Sequence, residues 1–228
     1  MKLFFQTFIA FVMFISCGSS NNKTSQQSPL LSQRTDIQLE IDQSLGTPIL
    51  MKGNLSSLDV LSRKNVFESA LLFVEQNKDI FNLKEPRKEL ALVDTTTDEL
   101  GFQHVTFQRQ VDEVTIWGDE LKIHFNKDGV LYFVNGRYHP SLPENFVTRP
   151  ALNQADCEEI AVADAIKNIN ASTVKETELV IFPQKGTYHL VYRINIVGGV
   201  LMTTNWEYFV DAANGEIVHK YNNIQNPK

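Results

Sequence analysis

The chain has 228 residues, 43% of them hydrophobic and 21% charged, enough for one large domain or two of about 100 residues each. Lysine and arginine number 21 against 27 aspartates and glutamates, a net charge of −6 with no basic block. This excludes a nucleic-acid partner held through its phosphates, which needs clustered positive charge.

The first element is a leader. Lys2 supplies a positive start and Leu3 to Ile15 an apolar run of the length of a signal-peptide core, too short to span a bilayer. Ser16-Cys17-Gly18-Ser19-Ser20 follows, and the arrangement resembles a bacterial lipoprotein signal covering residues 1–16, with Cys17 lipidated as the mature first residue. Phe14 and Ile15 depart from the leucine and small residue usual in such signals; plain secretion or a retained anchor is the alternative. The expected location is extracytoplasmic, on a bacterial membrane through the lipid of Cys17, or secreted if Cys17 carries none. Residues 17–36, rich in Ser, Asn and Gln, have the composition of a flexible tether.

From Asp36 to Leu55 alternation is weak, interrupted by Gly46, Pro48 and Gly53. Ser56, Ser57 and Asp59 offer helix caps, and Val66, Phe67, Ala70, Leu71, Phe73, Val74 and Phe81 recur at three- and four-residue spacing. That spacing predicts a helix from about Asp59 to Lys78 with one apolar stripe. Strands follow at Leu90–Val93, Gly101–Gln110 and Trp117–Phe125, the last with Leu121, Ile123 and Phe125 on one face and Glu120, Lys122 and His124 on the other. Asp128-Gly129 has hairpin-turn chemistry, and Val130–Val134 returns from it. Residues 141–150, with prolines at 143 and 150, read as a linker. Beyond it Asn153 can cap a helix to about Ile169, before strands at Glu178–Phe182, Thr187–Val197, Asn205–Val210 and Glu216–Tyr221. The pattern reads as two helix-then-sheet units in tandem, with no repeat at residue level.

No catalytic motif stands out. Four residues after each of the five histidines come Gln108, Asp128, Pro143, Arg193 and Asn223, so no HExxH zinc helix exists. There is no GxSxG elbow and no phosphate loop. Cys157 sits beside Asp156, Glu158 and Glu159, which oppose a reactive thiolate. The adjacent carboxylates Asp119 and Glu120 read as solvated surface charge rather than a glycosidase pair. By its motifs the chain is not an enzyme and needs no cofactor.

More specific phrases lie in the middle and at the end: GFQHVTFQRQ (101–110), WGDELKIHF (117–125), KDGV (127–130) and VNG (134–136). They resemble the fungalysin/thermolysin propeptide domain. Residues 151–222, with an alanine-rich helix, ELVIFP (178–183), LVYRI (190–194), YFVDA (208–212) and GEIV (215–218), look like a PepSY domain. That order is the prosegment order of thermolysin-like zinc peptidases. Asp112-Glu113-Val114-Thr115-Ile116-Trp117 departs from the family's usual Asn-Gly-Val-Pro-Val-Phe, and Thr106 stands where the family often has Arg.

The resemblance implies an α+β fold of two tandem cystatin-like units, each a helix packed on an antiparallel sheet, at residues 37–140 and 151–222, with a tail at 223–228. Its motif positions fall on Gly101, His104, Phe107, Trp117, Gly118, Glu120, Asp128, Gly129, Asp211 and Gly215, for which turn geometry, core packing and structural hydrogen bonds are the plain reading. It implies a monomeric, non-catalytic, stand-alone propeptide that inhibits a secreted zinc metallopeptidase in trans or assists its folding. The stretch Asn222 to Lys228 is a candidate for insertion into the peptidase cleft, with a frayed terminus as the plainer reading. Two alternatives stand: an envelope binding module unconnected with proteolysis, and the remnant of a precursor that lost its catalytic domain.

Overall fold

A computed structural model describes residues 36–55, 65–167, 172–199 and 204–224. The leader, Cys17, the tether up to residue 35, the caps proposed at Ser56, Ser57 and Asp59, and residues 225–228 of the tail, Lys228 among them, lie outside the described residues.

The weakly alternating opening forms two strands, β1 (Gln38–Ile41) and β2 (Pro48–Lys52). Helix α1 (Val66–Gln76) is capped by Asn65, whose side chain accepts from the Glu68 amide, and buries Ala70, Leu71, Phe73 and Val74, the predicted stripe. Two short turns, α2 (Lys78–Phe81) and α3 (Pro86–Glu89), lead into a meander of β3 (Leu90–Thr97), β4 (Gln103–Val111), β5 (Val114–Phe125) and β6 (Leu131–Arg137). Helix α4 (Gln154–Ala165), capped by Asn153 through the Asp156 amide, precedes β7 (Ser172–Gln184), β8 (Thr187–Gly198), β9 (Thr204–Asp211) and β10 (Ile217–Asn222).

The expectation of two tandem cystatin-like units is overturned. The described strands make one mixed, ten-stranded sheet, in the order β1-β2-β6-β5-β7-β8-β9-β10 with β4 and β3 branching from β5. The join is a parallel pairing of Thr115 with Val180 and Ile116 with Ile181. Backbone hydrogen bonds therefore run from one end of the chain's strands to the other, and Ile116, Ile181 and Leu142 form a buried cluster across the join. A parallel contact between strands so far apart in sequence leaves no local turn signal.

Side chains fill the sheet's faces by alternation. Phe107, Leu121 and Ile123 are fully buried under α1, with the Phe67 ring 6.0 Å from that of Phe107. Cys157, Ala161 and Ala165, on one stripe of α4, meet Tyr192, Ile194, Ile196, Tyr208 and Val210. The small residues on that stripe let the helix approach the aromatic and branched side chains of β8 and β9.

The largest of the fully buried side chains among the described residues is a charged one, beside the cluster under α1. Arg109 is fully buried; its Nη1 donates to the Glu89 carbonyl at 2.7 Å and its Nε to the His139 carbonyl at 3.1 Å. Nη2 donates to the Pro140 carbonyl at 3.2 Å and is 3.1 Å from the Glu89 carboxylate. Burial pulls the guanidinium below its ordinary range, against the pull of Glu89 and Asp119. Burial alone would raise the Glu89 pKa, but the Ser141 hydroxyl, the Glu85 and Lys84 amides and Arg109 hold it below the usual carboxylate value.

Opposite Arg109 the ladder is broken. Gln108 pairs with Glu120 and Gln110 with Thr115, so residues 116–119 of β5 face a single residue of β4, and the strand arches outward. Gly118 takes the bend at φ +81°, a conformation that costs side-chain-bearing residues roughly 1–2 kcal/mol. Asp119 turns inward from this arch. It is 2% exposed and accepts from the His139 amide at 2.7 Å and the His139 Nδ1 at 2.8 Å. It is therefore a structural anchor for residues 138–141 and not solvated charge. Next to the arch, at the β4–β5 turn, Asp112 and Glu113 both take positive φ, 47° and 68°, in a tight turn that asparagine and glycine would fill with less strain.

Removing one partner from a buried, multiply bonded ion pair leaves the other uncompensated. Arg109→Met is expected to destabilise the protein by about 3–5 kcal/mol, read as a lower urea midpoint at unchanged slope. A loss below about 1 kcal/mol would show that the buried charge carries no such weight.

Candidate partner-binding face

The sheet made by β7 to β10 has α4 on one side only, among the described residues. Tyr192, Ile194 and Ile196 of β8 and Tyr208 and Val210 of β9 point to the helix. The alternate residues form the opposite, open face. Its centre is apolar: Val180, Val191 and Phe209 are fully buried, under Trp117, Phe182, Val218 and Tyr221. The rings interlock, with Phe182 and Phe209 centroids 4.4 Å apart, His219 stacked on Phe182 at 5.6 Å and Tyr221 on Phe209 at 6.1 Å.

Beside the rings lies a charged network. Arg193 Nε is 3.1 Å from Glu207 Oε2, and its Nη1 is 3.4 Å from Glu178. Its guanidinium carbon stands 4.4 Å from the centre of the Trp117 ring, a cation–π contact that draws the arched part of β5 onto β8. Glu207, 4% exposed, also accepts from Asn195 at 2.8 Å and Asn223 at 3.3 Å. These donors stand in for the solvent shell that a buried carboxylate gives up. An aromatic floor with fixed polar groups beside it is the composition of a protein-contact surface. Among the described residues no group of three or more His, Cys, Asp or Glu is placed to hold a metal ion.

The motif positions read from the sequence are scattered. Trp117 lies on this face, and Asp211, opposite Val191, falls at its margin. Gly118 bends β5; Glu120 is paired with Lys122 at 2.5 Å; Phe107 is core. Gly101 closes the turn before β4, its amide donating to the Asp98 carbonyl. Asp128 and Gly129 occupy the β5–β6 turn, where the Asn126 side chain accepts from the Asp128 and Val130 amides. Asp211 heads the β9–β10 turn, accepting from the Ala213 amide and contacting His189 Nδ1 at 3.1 Å. Gly215, at φ +78°, lies where a Cβ would come within 2.7 Å of Ile160 on α4, so this turn is fitted to the helix. Asn222 ends β10, its side chain accepting from the Asn205 and Ile224 amides. Cys157 is buried on the inner side of α4; burial, then Asp156 and Asp211, push its thiol pKa up. No sequence motif singles out Arg193 or Glu207. Their alternation with apolar neighbours on a strand is the one signal that marks them.

His104 makes the least expected contact. It faces His124 across the β4–β5 ladder, with the two Nδ1 atoms 2.7 Å apart. His124 Nε2 is 2.7 Å from Asn135 Oδ1; donating there, the ring is left with Nδ1 as acceptor, and only one proton can occupy the contact.

Residues 88–138 match the Fungalysin/Thermolysin Propeptide Motif. The matched segment runs from the end of α3 through β6 to Tyr138, and so contains Arg109, the arch of β5 and the His104–His124 pair. The motif is that of a propeptide and not of a catalytic domain. The chain is 31% identical over 189 residues to thermolysin of Alicyclobacillus acidocaldarius subsp. acidocaldarius, covering 80% of this chain and 34% of that protein. It is 32% identical over 164 residues to the thermostable neutral protease NprT of Geobacillus stearothermophilus, covering 67% and 29%, and 29% identical over 150 residues to the extracellular elastase of Staphylococcus epidermidis, covering 63% and 29%. The chain spans about a third of the length of the curated relatives it matches.

Burial, with His104 and Lys122 adding to it, holds the His124 pKa below its ordinary 6.5. The folded chain thus binds fewer protons than the unfolded one below that pH, so this contribution to stability is present above about pH 6.5 and is lost as pH falls through the depressed pKa. His124→Gln keeps a partner for Asn135 and removes the titration. Urea unfolding at about pH 7.5 and about pH 5 is expected to give a smaller stability difference in the variant than in the natural chain; equal differences would contradict it.

Proposed function

We propose that the chain is a non-catalytic, propeptide-like module that binds a thermolysin-like zinc metallopeptidase in trans, as inhibitor or folding assistant. The observation that carries this reading is the propeptide motif at residues 88–138 within a likeness to thermolysin and bacillolysin that extends over 80% of the chain. On this reading residues 37–140 act as the propeptide-like part and 151–222 as a PepSY-like part, and the open face of Trp117, Phe182, Tyr221 and Arg193 meets the peptidase. Aromatic side chains set beside a fixed arginine supply much of the binding energy at such contacts.

The test is direct. The purified chain, mixed with a thermolysin-like peptidase, is expected to suppress casein hydrolysis or to raise the yield of active peptidase on refolding. Trp117→Ala, which removes a partly exposed ring, is expected to weaken that effect by on the order of tenfold or more. Unchanged hydrolysis and unchanged refolding yield at every ratio would overturn the reading.

The extracellular elastase among the relatives supports an extracytoplasmic location, and the cysteine after the apolar leader supports lipid attachment at Cys17. Cys17→Ala is expected to move the chain from the membrane to the soluble extracytoplasmic fraction and to abolish labelling by a radioactive fatty acid. Labelling that survives the substitution would place the lipid elsewhere.

A further inference from the structure

Away from the open face, a cleft of about 450 Å³ separates the end of β6 from the β7–β8 hairpin, a size within the roughly 300–1,000 Å³ of small-ligand pockets. One wall carries Leu45, Arg137 and Pro140, the other Pro183, Lys185 and Tyr188. Among the described residues one arginine and one lysine line it and no aspartate or glutamate does, in a chain whose net charge is −6.

The two cations are available. Arg137 is 69% exposed, and its one carboxylate contact among the described residues, from Nε to Asp42, is long at 3.6 Å. That Asp42 carboxylate is already engaged by the Ser44 amide and hydroxyl and the Leu45 amide. Lys185 has no carboxylate partner among the described residues. It occupies the β7–β8 turn at φ +48°, followed by Gly186 at φ +84°, so the hairpin carries it to the mouth of the cleft. The Tyr188 ring, edge-on to His139 at 5.4 Å, gives the cleft an aromatic wall, held in turn because Asp119 fixes His139.

We propose that this cleft binds the free α-carboxylate of a short peptide, with Arg137 and Lys185 on the carboxylate and the terminal side chain against Leu45, Pro140, Pro183 and Tyr188. A guanidinium presents two parallel donors that match the plane of a carboxylate, and the lysine adds a second, mobile charge. A bare inorganic anion would satisfy the cations and leave the apolar half wet, so the arrangement favours an anion joined to an apolar body. Because the walls come from opposite sides of the β5–β7 join, the bound peptide would bridge them.

The experiment needs no peptidase, so its outcome is separate from that of the reading above. The full chain is titrated calorimetrically with N-acetyl-alanyl-leucine, with the same dipeptide as its C-terminal amide, and with inorganic phosphate. Saturable binding of the free acid is expected, at least tenfold tighter than that of the amide or of phosphate, with a rise in melting temperature that grows with ligand concentration. The double variant Arg137→Gln, Lys185→Asn is expected to lose the binding at least tenfold; asparagine is chosen because it tolerates left-handed backbone. Its unliganded melting temperature, expected to be unchanged, separates loss of the site from loss of the fold. Equal binding of acid and amide, phosphate as tight as the peptide, no binding at all, or undiminished binding by the folded double variant would each overturn the proposal.

Discussion

A buried guanidinium has to be surrounded by acceptors, and much of this molecule is arranged around that demand. Arg109 gathers the carbonyls of Glu89, His139 and Pro140 and the carboxylate of Glu89, and Glu89 in turn holds the Lys84 and Glu85 amides and Ser141. Three stretches far apart in sequence are thus tied to one side chain. The tie fixes residues 138–141, the path by which the chain leaves the first core for the second. Replacing such a set with apolar groups often costs little; keeping it confines the chain to one route.

The arch of β5 is the counterpart of that constraint. With four residues opposite Arg109, the strand cannot stay in register with β4. It uses the excess to send Asp119 inward to His139 and Trp117 outward to Arg193. The early part of β5 is then free to pair with β7, and the open face of the second half of the sheet receives its tryptophan from the first. The surface proposed for the peptidase is for this reason a product of the join, and the acid-lined arginine at its edge is oriented by a ring it would lack if the halves were independent.

Much of the local structure is legible in the sequence. Alternation in Leu121, Ile123 and Phe125, the three- and four-residue spacing from Val66 to Val74, the Asn153 cap and the Asp128-Gly129 turn each report a choice made by nearby residues. The sheet as a whole is not legible, because β5 meets β7 through only two residue pairs, Thr115 with Val180 and Ile116 with Ile181, and no connecting turn. The strands at Gln38 and Pro48 escape for a related reason: β2 is specified by pairing with β6 and β1 by pairing with β2, not by their own pattern. Asp119 is misread because adjacent carboxylates look alike until a bulge sends one inward. The candidate face is half visible, its rings through apolar strands and its Arg193–Glu207 pair only after the strands are aligned.

The two-pair junction also has a consequence for synthesis. A ribosome delivers β5 and β6 well before β7, so the edge of Val114–Trp117 that will carry the parallel pairing emerges without its partner. Until β7 arrives, this short stretch of strand edge is open to pairing with any other extended chain. The arch limits that exposure, since a bent and strongly twisted segment is a poor template for edge-to-edge association. The same irregularity that joins the finished sheet therefore protects the unfinished one.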